Sequence, residues 1–188
     1  MTVADHLRPA EQSRAIAFDF VLIAGGSILI ALSAQVRLPL PFSPVPVTGQ
    51  TFAVLLLGAL LGRWRGAATV LAYLGEGVAG LPFFAGGGAG PAYVVGPTGG
   101  YLAGFLVAAW ATGWLAERGW NRGILRVAAA MAIGSAAILG LGALWLANFV
   151  GTDRAFAAGV VPFLVGDAAK IALAAALLPA VDRWIDRQ

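Results

Sequence analysis

The stretch VVPFLVGDAAKIALAAALLPAV, Val160 to Val181, is apolar except for two opposite charges, Asp167 and Lys170. As a helix rising about 1.5 Å per residue, it is long enough to cross a hydrocarbon core of roughly 30 Å. Asp167 and Lys170 stand three residues apart, so they share one helical face, and neither lies near an end of the run. A charge at the bilayer centre is expensive, so the pair must face protein, water or a ligand rather than lipid. An ion pair that merely packs a bundle is one reading. Apolar residues would do that packing without desolvation, which makes a ligand site the stronger one.

The rest of the chain repeats the apolar pattern. Of its 188 residues, 60% are hydrophobic and 11% charged, against roughly 25% charged in ordinary soluble domains. No cysteine is present, which excludes disulfides, thiolate chemistry and cysteine-bound metals. The single histidine, His6, lies in the polar head MTVADHLRPAEQSRAI and offers no metal set. That head lacks the apolar core of a signal peptide and reads as a short cytoplasmic or interfacial segment over residues 1–17.

Apolar runs predict six spans inside a single membrane domain, a bundle over 18–181 followed by a short cytoplasmic tail over 182–188. The first is Phe18 to Val36, with Ser27 and Ala31 among the small residues that permit close helix approach. Four prolines in RLPLPFSPVPVT, Arg37 to Thr48, forbid a regular helix, so this apolar segment must lie on protein over the mouth of the bundle. Span two is about Gln50 to Gly62 and span three Gly66 to Gly80, where Glu76 sits between Gly75 and Gly77 at a point expected to weaken the helix. The uncharged loop Leu81 to Pro97 carries Phe83, Phe84 and Tyr93 among its glycines and suits a lid over an apolar ligand. Spans four, Thr98 to Leu115, and five, Val127 to Phe149, follow. GTDRAFAAG reads as the last loop before the run that opens this section.

Placing the N-terminus inside puts Arg8, Arg14, Arg63, Arg65, Arg118, Arg122, Arg126, Arg183 and Arg187 on the cytoplasmic side and only Arg37 and Arg154 outside. The expected fold is therefore an all-α integral membrane protein of six transmembrane helices, N-in and C-in. Structured external loops cap a pocket on its outward side. Asp167, Lys170, Glu76 and Tyr101 then fall at similar depth beneath the two outer loops. The chain has no GxxxxGK[ST] motif and no nucleophile–base pair, so neither an ATPase nor an enzyme is indicated. The basic residues end apolar runs, which reads as topology and not nucleic-acid binding. A channel would need a polar route through the whole membrane, whereas the buried polar residues cluster in the outer half.

Four segments, PFSPVPVTGQTFAVLLLGALLG, YLGEGVAGLPFFAGGG, GPTGGYLAGF and PFLVGDAAK, occur in an order and spacing that resemble the BioY family, the biotin-specific substrate-binding components of energy-coupling factor transporters. The resemblance covers about Phe18 to Pro179. It implies a multi-pass protein of the bacterial cytoplasmic membrane that takes biotin from outside. It also implies partnership with a transmembrane coupling protein and a pair of cytoplasmic ABC-type ATPases, which alone would bind ATP, and no cofactor in this chain. Asp167 and Lys170 match the family's polar pair, Tyr101 its GPTGGY signature and Gln50 its PVPxTxQT-like segment. Biotin chemistry adds Tyr93 and Phe84 as covers for the apolar rings, and Arg37 or the backbone of Gly86 to Gly90 as partner of the acid tail. Glu76 is the departure from the pattern. Ser27 and Ala31 are the small pair expected to meet the coupling protein.

Overall fold

The computed structural model describes residues 2–185. It is mainly helical: α1 (Val3–Leu7), α2 (Gln12–Gln35), α3 (Gln50–Leu61), α4 (Arg63–Val78), α5 (Pro91–Val94), α6 (Gly99–Leu115), α7 (Ile124–Val150), α8 (Thr152–Gly159) and α9 (Val161–Ile185). Four segments are long and apolar enough to cross a membrane: Gln12–Gln35, Gly99–Trp120, Ile124–Val150 and Thr152–Val181. α3 is a shorter apolar helix of 12 residues, and α4 has 16. Large apolar side chains cover the outside, among them Phe20, Leu32, Leu125, Leu144 and Val165. Such a surface suits hydrocarbon and would be a liability in water.

The proline segment is a two-stranded antiparallel hairpin, β1 (Arg37–Leu40) and β2 (Ser43–Thr48), with Arg37 opposite Thr48 and an irregularity between Leu38 and Leu40. Prolines are tolerated here because both strands are edges and need not donate along their outer sides. The chain leaves the hairpin at Gly49, whose N–H donates to the Val36 carbonyl at 3.0 Å, and enters α3 at once. α3 turns into α4 through one residue, Gly62, at φ +85°, a left-handed conformation that glycine adopts at little cost.

α6 is the central helix, packed on α3, α4 and α7, and α7 carries α9 on its other side. Tyr73, Phe84, Ile30, Met131, Ile138 and Leu146 are fully buried in the core around it. GTDRAFAAG, expected as a loop, is the helix α8. Its Ala155 and Ala158 are buried while Phe156 is exposed, so it lies flat on the bundle. The helix α4 runs unbroken through Gly75, Glu76 and Gly77, against the expected discontinuity. The expected tail is the end of α9 as far as Ile185, and the remainder, with Arg187, lies outside the described residues.

The polar head folds onto the bundle. Thr2 and Ala4 are buried, and Arg65 binds Asp5 at 2.8 Å and Asp19 at 2.7 Å while Arg8 takes the other Asp19 oxygen at 2.9 Å. Burial alone would raise the Asp5 carboxyl, but the Thr2 N–H and hydroxyl and the Arg65 guanidinium bind its ionised form and hold it below the ordinary value of 3.8. A carboxyl depressed on folding stabilises the fold above its unfolded value and loses that contribution as pH falls through the folded one. The melting temperature is therefore expected to drop on acidification below about pH 4, with part of that slope absent in Asp5→Asn. An identical pH profile for the variant, measured in detergent from pH 7 to 3, would count against the clamp.

Candidate functional site

A small cavity lies under the hairpin and the glycine loop, walled by α3, α4, α6, α7 and α9. Val45, Leu102, Phe105, Leu139 and Phe163 make its apolar wall, and Thr48, Gln50, Thr51, Tyr73, Thr98, Tyr101 and Lys170 its polar one. Among the described residues, Lys170 is the only charged one in the lining.

Each polar group is held by a neighbour from another element. Lys170 Nζ donates to the Thr48 carbonyl at 2.9 Å and to Thr51 Oγ1 at 2.6 Å, and lies 3.3 Å from Asp167 Oδ1. Asp167 is 4% exposed and stands behind the lysine, not in the lining. The Thr51 hydroxyl lies 3.4 Å from its Oδ1, and Ser135 of α7 donates a short hydrogen bond to Oδ2. The carboxylate is thus saturated from three sides, which fixes the position of the lysine.

Gln50, the first residue of α3, donates through Nε2 to the Tyr73 hydroxyl at 2.6 Å and accepts from Thr48 Oγ1 at 3.1 Å. Tyr101 donates its hydroxyl to the Gly159 carbonyl at 2.7 Å, and its ring lies over Gly142, a position with no room for a Cβ. Phe163 packs beside it with ring centroids 5.8 Å apart. Cavity and core are therefore one structure: moving Tyr101 disturbs the α8–α9 junction.

Of the residues singled out in the sequence, Gln50, Tyr93, Tyr101 and Lys170 meet at the cavity, with Asp167 directly behind. Phe84 is fully buried beneath the glycine loop and outside the lining, stacked on Tyr93 at 4.7 Å and edge-on to Tyr73 at 5.6 Å. Burial pushes the Tyr93 phenol up, so it meets the cavity as a neutral hydroxyl. Arg37 lies against Gly86 in the glycine loop and is not part of the lining. Glu76 also stands apart, its Oε1 accepting from the Ser27 hydroxyl at 3.2 Å across the α2–α4 contact. Ser27 and Ala31 are 0% and 5% exposed, so they pack inside the bundle and offer no outer face to a partner.

Sequence reasoning missed Tyr73, Thr51 and Ser135 as parts of this arrangement. Ser135 had a signal: with Asn148 it is one of two hydrogen-bonding residues other than Trp145 in the apolar run Val127 to Phe149 of α7. A hydroxyl in such a run turns inward or bonds its own helix, and here it turns inward.

The model of the BioY family matches residues 7–187. A probable biotin transporter BioY of Pyrococcus horikoshii is 39% identical over 153 residues, covering 81% of this chain and 89% of that protein. The biotin transporter BioY of Rhodobacter capsulatus is 39% identical over 162 residues, covering 77% and 82%. Among solved structures, the S-component for biotin from an ECF-type ABC transporter superposes with a TM-score of 0.81 at 23% identity, covering 93% of this chain and 95% of that one.

Proposed function

Since this chain belongs to the BioY family, we propose that it is a biotin-binding membrane subunit that captures biotin from outside and passes it inward. It is a transport protein and not an enzyme. One observation carries the reading: a half-buried, fully hydrogen-bonded Lys170 backed by the buried Asp167 at the wall of an otherwise largely apolar cavity, beneath two loops. In a membrane protein such a pair marks a ligand path more often than packing.

Biotin matches the two walls. Its cyclic urea offers one carbonyl and two N–H groups, and its rings and chain are apolar. Lys170 donates to the urea oxygen, with Asp167 fixing the lysine, and the Thr51 and Gln50 oxygens, which line the cavity, are the acceptors at hand for the urea N–H groups. Tyr101, Tyr93 and Phe163 cover the apolar part. Phe84 supports Tyr93 from beneath, and Arg37 is a positive charge that the outer loops offer to the acid tail.

The reading extends to the membrane. α3 and α4 join the four long segments to give six spans in a single domain, with N- and C-termini inside, and the arginine bias of the sequence supports that orientation. The location is the bacterial cytoplasmic membrane. The chain carries no nucleotide-binding motif, so accumulation against a gradient depends on a coupling protein and two ABC-type ATPases. Radiolabelled biotin uptake in auxotrophic cells tests this. High-affinity binding is expected with the chain alone, and concentrative uptake only when the partners are co-expressed. Equal accumulation in both cases, collapsed by a protonophore, would overturn the dependence on partners; fast, weakly saturating flux would favour a channel.

A further inference from the structure

Gln35 is the last residue of α2, with Val36 alone between it and the hairpin. Although its side chain is exposed, its amide is engaged at both ends with the glycine loop. Nε2 donates to the Phe84 carbonyl at 3.3 Å and to the Ala31 carbonyl of its own helix at 3.1 Å. Oε1 accepts the Gly87 N–H at 3.2 Å. Two residues further on, the Arg37 guanidinium lies flat against Gly86, in a space that a side chain at that position would fill. The end of α2 meets the glycine loop here through backbone groups 49 and 52 positions away, read by one side chain.

The same loop is anchored from beneath. Phe84 fits a notch left by Gly77, where a Cβ would collide with its ring, and it is bracketed by Tyr73 and Tyr93. Tyr73 in turn receives the Gln50 amide and lies 3.5 Å from the Phe83 carbonyl. Opening the glycine loop must therefore withdraw Phe84 from the notch and break both Gln35 contacts. Beside them Arg37, the first residue of the hairpin, lies against Gly86 of the same loop.

We propose that Gln35 is a positioning residue that ties the hairpin and the glycine loop into one lid, so that the two open together and their joint opening sets the rate of ligand exchange. This rests on the reading that biotin occupies the cavity. Gln35 touches no cavity-lining surface; it acts through Phe84 and Gly87.

Hydrogen exchange on the ligand-free protein tests the tie without any ligand. Gln35→Met keeps side-chain length and removes both amide contacts. It is expected to speed exchange about tenfold in residues 84–90 and, by a comparable factor, in the hairpin at residues 37–48, as the loss of one or two exposed hydrogen bonds implies. Gln35→Glu, which keeps the acceptor for Gly87 but loses the donor to Phe84, should fall between. Acceleration confined to 84–90, or none, would overturn the coupling. Stopped-flow binding of fluorescent biotin supplies the second readout: a loosened gate raises association and dissociation rates together. Faster dissociation with unchanged or slower association would indicate a damaged site instead and overturn the gating role. Absence of biotin binding by the wild-type protein would refute the assignment of the cavity, while the exchange result would still decide whether the two segments move as one.

Discussion

Lys170→Met is expected to weaken biotin binding by at least about a hundredfold, with a smaller loss for Asp167→Asn. Lys170 is the charged group of the cavity wall, and its ammonium satisfies the Thr48 carbonyl, Thr51 Oγ1 and Asp167 together. Removing it takes away the donor proposed for the urea oxygen and also strands the Asp167 carboxylate, 4% exposed, beside Ser135 and Thr51. Breaking a buried pair by deleting one partner costs about 3–5 kcal/mol, more than one hydrogen bond supplies. Asp167→Asn leaves a neutral amide that can still meet the Ser135 hydroxyl, so the lysine loses only its counter-charge. The double substitution should cost less than the sum of the two, because no buried charge is left alone. Calorimetric titration of the three purified variants gives all the terms. Additive losses, or wild-type affinity in either folded single variant, would remove the pair from the site.

Gly142→Ala is expected to damage both fold and binding although Gly142 is not part of the cavity lining. A methyl group at Gly142 would enter the Tyr101 ring. Tyr101 is 6% exposed and bonded to the Gly159 carbonyl, and it packs on Phe163, so it has no free direction in which to move except toward the cavity. Overpacking of this kind costs about 1–3 kcal/mol of stability. Here the displaced ring also narrows the ligand space, and affinity should fall about tenfold or more. Tyr101→Phe separates the two effects. It keeps the ring over Gly142 and loses the Gly159 bond, so it should lower the melting temperature while binding falls much less. Equal loss of affinity in both variants would place the role of Tyr101 in its hydroxyl.

How much was legible in the sequence differs by element. Asp167 and Lys170 announce themselves because two charges three residues apart in an apolar helix share a face, and their apolar surroundings forbid a lipid-facing arrangement. Prolines at 39, 41, 44 and 46 excluded a helix but not the hairpin, since strand pairing depends on register that no single segment specifies. α8 was misread because eight residues are too few for a periodic pattern and its buried face is made of alanines; its tertiary contact with α7 is what keeps it helical. Glu76 and Ser27 each looked like a feature turned outward, one toward a ligand and one toward a partner. They turn toward each other instead, because an intramembrane carboxylate and a hydroxyl on neighbouring helices satisfy one another more readily than either satisfies lipid. Tyr73 was passed over beside Glu76 although it, and not the glutamate, reaches the cavity.

The assignment of the cavity is tested most directly by titrating biotin into the purified wild-type protein and into Val45→Trp. Val45 is a 4% exposed hairpin residue in the cavity lining, where an indole would occupy the space assigned to the ligand. Saturable binding of one biotin per chain is expected for the wild type, and its loss in a Val45→Trp protein that retains a cooperative melting transition. Undiminished one-to-one binding in that variant, or no saturable binding by the wild type, would contradict the account.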